Sequence, residues 1–229
     1  MCSSDLDLKI FDPVWTTATI TSTHGYMVYD TLFSVDSKYN VKPQMVEKHE
    51  VSADGLTHSF RLRDGLGFSD GSPVTSRDCI ASIKRWAARF GKAKIMMDRS
   101  QSLTAIDEKS FQLKLKEPFG PVLETLGAVS PVLFVMREKE ADTDPFTQVT
   151  EVVGSGPFRW VKEEWQPNNR VVYVKNPNYK PRSEAADGYA GGKVVKLDRV
   201  EFSYNPDPAT SVQALIAGEF DLYEYPPTD

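Results

Sequence analysis

The sequence predicts a mixed α/β fold, and three features of one stretch carry that prediction. Residues 46–51 and 57–62 alternate with the period of two that is typical of strands. Between them lies a turn at 52–55 that ends in Asp-Gly, a dipeptide that tolerates positive φ. Apolar residues then recur at helical spacing over 76–90. Two strands followed directly by an amphipathic helix indicate a mixed α/β architecture.

The second strand and the helix are defined residue by residue. Phe60 and Leu62 alternate with polar residues and are predicted to face the core. Thr75 is a good N-cap, and Asp78, three residues later, completes a capping-box-like pattern that also suits the helix dipole. The predicted apolar stripe of the helix consists of Ile80, Ile83, Trp86, Ala87 and Phe90, and the residues outside it include Arg77, Lys84, Arg85 and Arg89.

The remaining elements follow from the same patterns and from turn-forming residues. The predicted strands are 8–12, 31–34, 103–106, 110–115, 131–136, 158–162, 170–175, 200–204 and 220–223. The predicted helices are 23–29, 121–126 and 209–217. Residues 171–174 are continuously β-branched or aromatic, which is typical of a strand buried on both faces.

Short motifs follow one another along nearly the whole chain. They are Tyr-Met-Val-Tyr-Asp-Thr-Leu-Phe at 26–33, Asp-Gly-Leu-Thr at 54–57, Leu-Arg-Asp-Gly at 62–65, Phe-Ser-Asp-Gly-Ser-Pro-Val-Thr at 68–75, Gly-Ser-Gly-Pro-Phe at 154–158, Asn-Pro-Asn-Tyr at 176–179 and Ala-Leu-Ile-Ala-Gly-Glu-Phe-Asp-Leu at 214–222. In order and spacing they resemble the family-5 extracellular solute-binding proteins, the receptors of peptide, dipeptide, nickel and glutathione ABC importers.

The resemblance implies a fold and a function. The fold is periplasmic-binding-protein-like, of the large three-subdomain type II variety, with the N-terminal lobe incomplete and the C-terminal lobe missing. The implied function is capture of peptides or similar small solutes outside the inner membrane and their delivery to an ABC permease, by a protein that is monomeric at full length. The alternative is a ligand-sensing module of a regulatory or chemotaxis system with the same fold.

The resemblance also suggests a division of the chain. Residues 7–41 and 155–229 would form the main subdomain and 42–154 an inserted smaller α/β subdomain. Residues 1–6 are interpreted as a non-native leader, because they match the translation of a common sequencing-adapter end. The alternative is a mature lipoprotein start at Cys2, although no lipobox precedes it. The expected location is periplasmic, with the signal peptide absent from this sequence.

Composition and motifs argue against other classes of function. A net charge of -5 without clustered Lys and Arg disfavours nucleic-acid binding, and no apolar segment reaches transmembrane length. His24, His49 and His58 lack metal-ligand spacing, and the last two are expected at outward or edge strand positions. Gly154-Ser155-Gly156 is neither a nucleophile elbow nor a dinucleotide fingerprint. We therefore expect no enzyme activity, no metal and no cofactor.

Position in the family indicates where this lobe would contact a ligand. The candidate residues are Thr21, Ser22, Thr23, Met96, Met97, Val129, Ser130, Gly154, Ser155 and Gly156. Each has a purely structural alternative: Ser22 or Thr23 as a helix cap, the methionines as core filling, and the glycines as a tight crossover. The sharpest hypothesis gives Ser155 a ligand carboxylate, bound by its hydroxyl and amide.

Overall fold

The computed structural model describes residues 2–4, 7–224 and 226 and has a mixed α/β fold. Its helices are α1 (Thr19–Val28), α2 (Ser76–Arg89), α3 (Gly91–Asp98), α4 (Val122–Leu126), α5 (Glu138–Ala141) and α6 (Pro208–Ile216), with a 3₁₀ turn at Lys162–Glu164. Its strands are β1 (Cys2–Ser4), β2 (Phe33–Val35), β3 (Val41–Pro43), β4 (Val46–Val51), β5 (Thr57–Leu62), β6 (Ser100–Ala105), β7 (Ser110–Leu115), β8 (Phe158–Trp160), β9 (Arg170–Lys175), β10 (Arg199–Tyr204) and β11 (Leu222–Tyr223).

Within the described residues the strands form three sheets. The first has the order β11-β1-β10-β9-β8, with β1 parallel to both of its neighbours and the other pairs antiparallel. The second is an antiparallel sheet of order β4-β5-β7-β6, and the third pairs β2 with β3. Of the predicted leader, residues 2–4 form β1, whereas residues 1, 5 and 6 lie outside the described residues. The division at 41 and 154 stays a prediction.

The antiparallel sheet and α2 confirm the local predictions. Phe60 and Leu62 are buried, and the apolar stripe of α2 packs in the same hydrophobic cluster. The helix begins at Ser76 with the predicted capping box, in which the Thr75 amide donates to the Asp78 carboxylate at 2.7 Å. The cap satisfies amides that an α-helix leaves without partners at its N-terminus. None of the helices in the described part of the chain has the length and apolar content needed to span a bilayer.

One predicted strand, 131–136, is an extended connection with isolated bridges instead of a sheet member. Thr31 pairs with Phe134 and Met136 with Gly154 as single bridges. Its alternating side chains serve two cores, because Leu133 and Val135 join the cluster around the antiparallel sheet, whereas Val132, Phe134 and Met136 join the cluster around α1. The side chains of this segment do alternate with a period of two, but they do so because the segment lies between two cores and not because it belongs to a sheet.

The predicted strand at 8–12 is wrong: among the described residues this segment joins no sheet, and side-chain contacts hold it in place. The carbonyl of Ile10 accepts a hydrogen bond from the Thr21 hydroxyl at 3.0 Å. Asp12 accepts hydrogen bonds from the amides of Val14 and Val149 at 3.0 and 2.9 Å. Asp12 also forms an ion pair with Arg85 at 2.6 Å, with both side chains fully buried. This segment is held by tertiary contacts and not by a strand ladder.

The outward or edge position expected for two histidines is wrong for His58. It lies on the inner strand β5 and is buried, and its Nδ1 is 3.1 Å from Nε2 of His49 on the neighbouring strand. The His49 ring stacks on Phe60 with centroids 4.8 Å apart. Burial lowers the pKa of both histidines, and the charge on His58 lowers that of His49 further.

Candidate functional site

An open cavity of about 560 Å³ lies beside α1. Its wall is formed by α1 with the residues before it, the segment at 129–130, the loop at 186–193, and Glu224. The lining residues are Thr17, Thr19, Ser22, Thr23, Tyr26, Met27, Val129, Ser130, Ala186, Gly188, Tyr189, Ala190, Lys193 and Glu224. Its volume falls within the range of about 300–1,000 Å³ that small-molecule sites occupy. Hydroxyl groups beside aromatic rings suit a small solute with both polar and apolar parts.

Helix α1 divides its side chains between the cavity and the core. Ser22, Thr23 and Tyr26 line the cavity, because residues three and four positions apart share one helix face. On the opposite face Thr21 and His24 are buried. Helix α1 therefore presents a polar and aromatic face to the cavity and packs its other face in the interior.

The buried face fixes the helix through one strong polar contact. His24 Nδ1 lies 2.8 Å from the hydroxyl oxygen of Tyr173, and both side chains are buried. Burial lowers the pKa of His24 from 6.5 to about 3, because no solvent stabilises the charged ring there. The neutral histidine therefore anchors α1 to β9 at neutral pH.

The loop at 186–193 is held tightly where it meets the cavity. Gly188 has φ of 59°, and a Cβ there would lie 2.8 Å from the carbonyl carbon of Asp36. A glycine is required on both counts. The next amide, that of Tyr189, donates to the carbonyl of Val35 at 2.9 Å. These contacts determine where the Tyr189 ring lies.

Two tyrosine rings from distant parts of the chain stack at the cavity wall. The centroids of Tyr26 and Tyr189 are 4.9 Å apart at an interplanar angle of 25°. Phe134 meets Tyr26 edge-on from the core, with centroids 5.1 Å apart. Burial raises the pKa of Tyr26, and the neighbouring Tyr189 raises it further. The Tyr26 ring is therefore a neutral hydrogen-bonding and stacking group at physiological pH.

A buried carboxylate holds the cation of the cavity wall. Asp30 is fully buried, and its carboxylate accepts hydrogen bonds from Lys193 Nζ at 2.8 Å, the Tyr179 hydroxyl at 3.0 Å and the Thr31 amide at 2.9 Å. Burying a charge is costly unless it is paired, so these three donors stabilise the carboxylate. Burial and the charge of Asp30 raise the pKa of Tyr179. Lys193 thus links the wall of the cavity to the buried carboxylate of Asp30.

The candidate Ser155 lies in the interior behind this carboxylate. Its hydroxyl accepts a hydrogen bond from the Asp30 amide at 3.0 Å and donates one to the Val135 carbonyl at 2.8 Å. Gly154 and Gly156 cross the end of α1 so closely that a Cβ on Gly156 would lie 2.6 Å from the amide nitrogen of Tyr29. The three residues do not line the cavity; they join the motif at 154–158 to the one at 26–33.

The two methionine candidates lie in the core of the antiparallel sheet and its helices. Met96 is fully buried there, and Met97 is partly buried against the same cluster. The structure therefore brings together Ser22, Thr23, Val129 and Ser130 at the cavity, whereas Thr21, Met96, Met97, Gly154, Ser155 and Gly156 lie elsewhere. Ligand contact by any of the ten stays a prediction.

Tyr26, Tyr189 and Lys193 also line the cavity but were not among the ligand-contact residues predicted from the sequence. Tyr26 carried a usable signal, since it follows Ser22 and Thr23 at helical spacing. The other two residues carried none, because they lie in a loop that only tertiary packing brings to α1. Among the described residues, no three histidine, cysteine or carboxylate side chains converge as a metal site would require.

Comparison with known proteins identifies the family. The family model for bacterial extracellular solute-binding proteins, family 5 Middle, matches residues 40–229. The chain is 46% identical over 225 residues to the probable peptide ABC transporter periplasmic-binding protein y4tO of Sinorhizobium fredii (strain NBRC 101917 / NGR234), covering 97% of this chain and 42% of that protein. The chain thus spans less than half the length of this relative.

Solved structures show the same fold. The agropinic acid complex of the periplasmic binding protein AgaA from A. tumefaciens matches with a TM-score of 0.76 at 26% identity, over 99% of this chain and 43% of that one. The dipeptide binding protein from Pseudoalteromonas sp. SM9913, in complex with Met-Leu, matches with a TM-score of 0.79 at 17% identity, over 99% and 47%. These matches confirm the predicted periplasmic-binding-protein-like fold. With the motifs, the fold and the family match in agreement, the chain belongs to the bacterial extracellular solute-binding proteins of family 5.

Proposed function

We propose that this protein is the substrate-binding component of an ABC importer and captures peptides or similar small solutes. The observation that carries the proposal is the cavity of about 560 Å³ beside α1, with hydroxyl and aromatic groups in its wall. The Sinorhizobium relative, named as a probable peptide ABC transporter protein, supports peptides as the solute. The bound agropinic acid of the A. tumefaciens protein supports small organic acids as a second class to test.

The cavity is open, and this suits one half of a cleft. Such receptors enclose a solute by closing two lobes about a hinge. The chain covers 42% of the length of its Sinorhizobium relative, so we propose that further residues of the full-length protein form the opposite wall. Hydroxyls of Ser22, Thr23 and Ser130 would then donate and accept hydrogen bonds to the solute from this side.

The same proposal extends to the protein's setting. The full-length protein would be exported to the periplasm, act as a monomer, and deliver its solute to an inner-membrane ABC permease. It would have no catalytic activity. Residues 7–41 and 155–229 would form the main subdomain and 42–154 the smaller one.

A calorimetric titration of the full-length gene product tests the proposal. The probes are a dipeptide and tripeptide panel and agropinic acid, and we expect saturable binding of at least one of them. Ser22→Trp should weaken or abolish it, because the indole would occupy the part of the cavity next to α1. Ala88→Trp is the matched control, since Ala88 is an exposed small residue on another helix, α2. Absence of binding to every probe, or equal binding by Ser22→Trp, would overturn the proposal.

A further inference from the structure

Among the described residues, Tyr189 presents a half-exposed aromatic ring to the cavity. The side chain lines the cavity, and the residue is 49% exposed. One side of the ring stacks on Tyr26 at 4.9 Å. Many exposed aromatic rings have no binding role. A ring that stacks on another ring with one face and turns its other face toward a cavity offers a binding surface for a second planar group.

The ring is also fixed before any ligand arrives. The backbone of Tyr189 is held by its hydrogen bond to Val35, and the preceding Gly188 packs against Asp36. Tyr26 in turn is braced edge-on by the buried Phe134. Preorganisation of this kind lowers the entropy lost on binding, which is what distinguishes a recognition surface from a mobile surface side chain.

The charge of the surrounding wall favours a neutral group at this position. Lys193, whose Nζ lies 5.9 Å from the Tyr26 ring centroid, is paired at 2.8 Å with the buried Asp30. Its positive charge is therefore balanced from behind. An uncharged ring is accommodated here more readily than a carboxylate.

We propose that Tyr189, backed by Tyr26, is a specificity-determining residue that stacks on an aromatic ring of the solute. This inference rests on the proposed function, and it narrows the solute class to peptides with an aromatic side chain. Offset or edge-on ring pairs contribute binding beyond the area they bury. The stack therefore predicts a preference for aromatic over saturated rings of similar size.

The test compares phenylalanine with cyclohexylalanine, which has similar bulk and no π face. Calorimetric titration of the full-length gene product would use Ala-Phe, Phe-Ala, their cyclohexylalanine counterparts, and Ala-Ala as the ring-free reference. We expect the wild type to bind an aromatic peptide about 2- to 12-fold more tightly than its saturated counterpart. Tyr189→Phe should keep that preference, and Tyr189→Leu should lose it.

Tyr39→Leu is the matched control, because Tyr39 is 81% exposed and does not line the cavity. It should leave every affinity unchanged. Equal affinity of the wild type for aromatic and saturated peptides, or a preference that survives in Tyr189→Leu, would overturn the inference while the proposed function stands. Absence of binding to all peptides, Ala-Ala included, would overturn the inference, and failure of agropinic acid to bind as well would overturn the proposed function.

Discussion

The buried ion pair between Arg85 and Asp12 gives a quantitative test of how the N-terminal segment is attached. Replacement of Arg85 by methionine keeps an unbranched apolar stem of good helix propensity but removes the guanidinium. That group donates to the Asp12 carboxylate and to the carbonyls of Thr143, Asp144 and Thr147 at 2.6 to 3.0 Å. Helix α2, the loop after α5 and residues 12–14 all meet at this side chain.

The size of the effect follows from what is left behind. Asp12 would keep its two amide donors but lose its countercharge in a site that is 0% exposed. Breaking a buried ion pair by removing one partner costs about 3–5 kcal/mol, because a charge remains buried without compensation. Such a loss is a large part of the 5–15 kcal/mol that typically stabilises a folded protein.

Guanidinium unfolding of the full-length gene product at neutral pH, followed by circular dichroism, measures this cost. Arg77→Met is the matched control, since Arg77 lies on the same helix and its exposed ion pair with Glu138 spans 3.9 Å. It should change the free energy of unfolding by less than about 1 kcal/mol. Combining Arg85→Met with Asp12→Asn should cost less than the sum of the two single changes. A cost for Arg85→Met no larger than that for Arg77→Met would show that the buried ion pair does not hold the N-terminal segment in place.

Two further predictions concern the attachment of α1. Gly154→Ala would place a Cβ that overlaps the carbonyl of Val28, so we expect the free energy of unfolding to fall by about 3 kcal/mol or the protein to fail to fold. A Cβ at Gly91 enters open space, so Gly91→Ala should be neutral or raise that free energy by up to about 1 kcal/mol. Thermal unfolding of both variants separates the packing effect from the general effect of replacing glycine. Burial lowers the folded-state pKa of His24 to about 3. The contribution of this histidine to stability is therefore fully present above pH 6.5 and falls as the pH drops from 6.5 toward 3. Over that range the unfolded chain binds a proton that the folded chain does not. Between pH 6.5 and 5 this contributes a loss of about 2 kcal/mol, which His24→Phe should remove from the measured pH dependence; equal slopes for the two proteins would contradict it.

Short-range pattern was enough to define the elements whose stabilising contacts are mostly local. The prediction of 110–115 and 170–175 as strands matches the structure residue for residue, and the capping box at Thr75 starts α2 as expected. At 110–115 strict alternation reports one buried face, whereas at 170–175 an unbroken β-branched and aromatic run reports burial on both faces. Pattern failed at 131–136, where the same alternation served two cores and no ladder formed.

The candidate site likewise contains some residues that could be predicted from the sequence and others that could not. Ser22 and Thr23 lie at the cavity and were within reach of the sequence, because the family resemblance pointed to them, although the helix predicted at 23–29 begins at Thr19 and so includes both residues. Tyr189 was not, because its position depends on a glycine packing against a backbone about 150 residues earlier in the chain.

The sequence by itself determined the family, the α/β class and the boundaries of several elements, since those are recorded in motifs and in periods of two and 3.6 residues. Tertiary structure alone decided that the basic residue Arg85 is buried against Asp12, that Lys193 is paired with Asp30, and which faces remain open as a cavity. Charge pairing and close packing between distant segments depend on three-dimensional distance, and residue order carries no local signal of that distance.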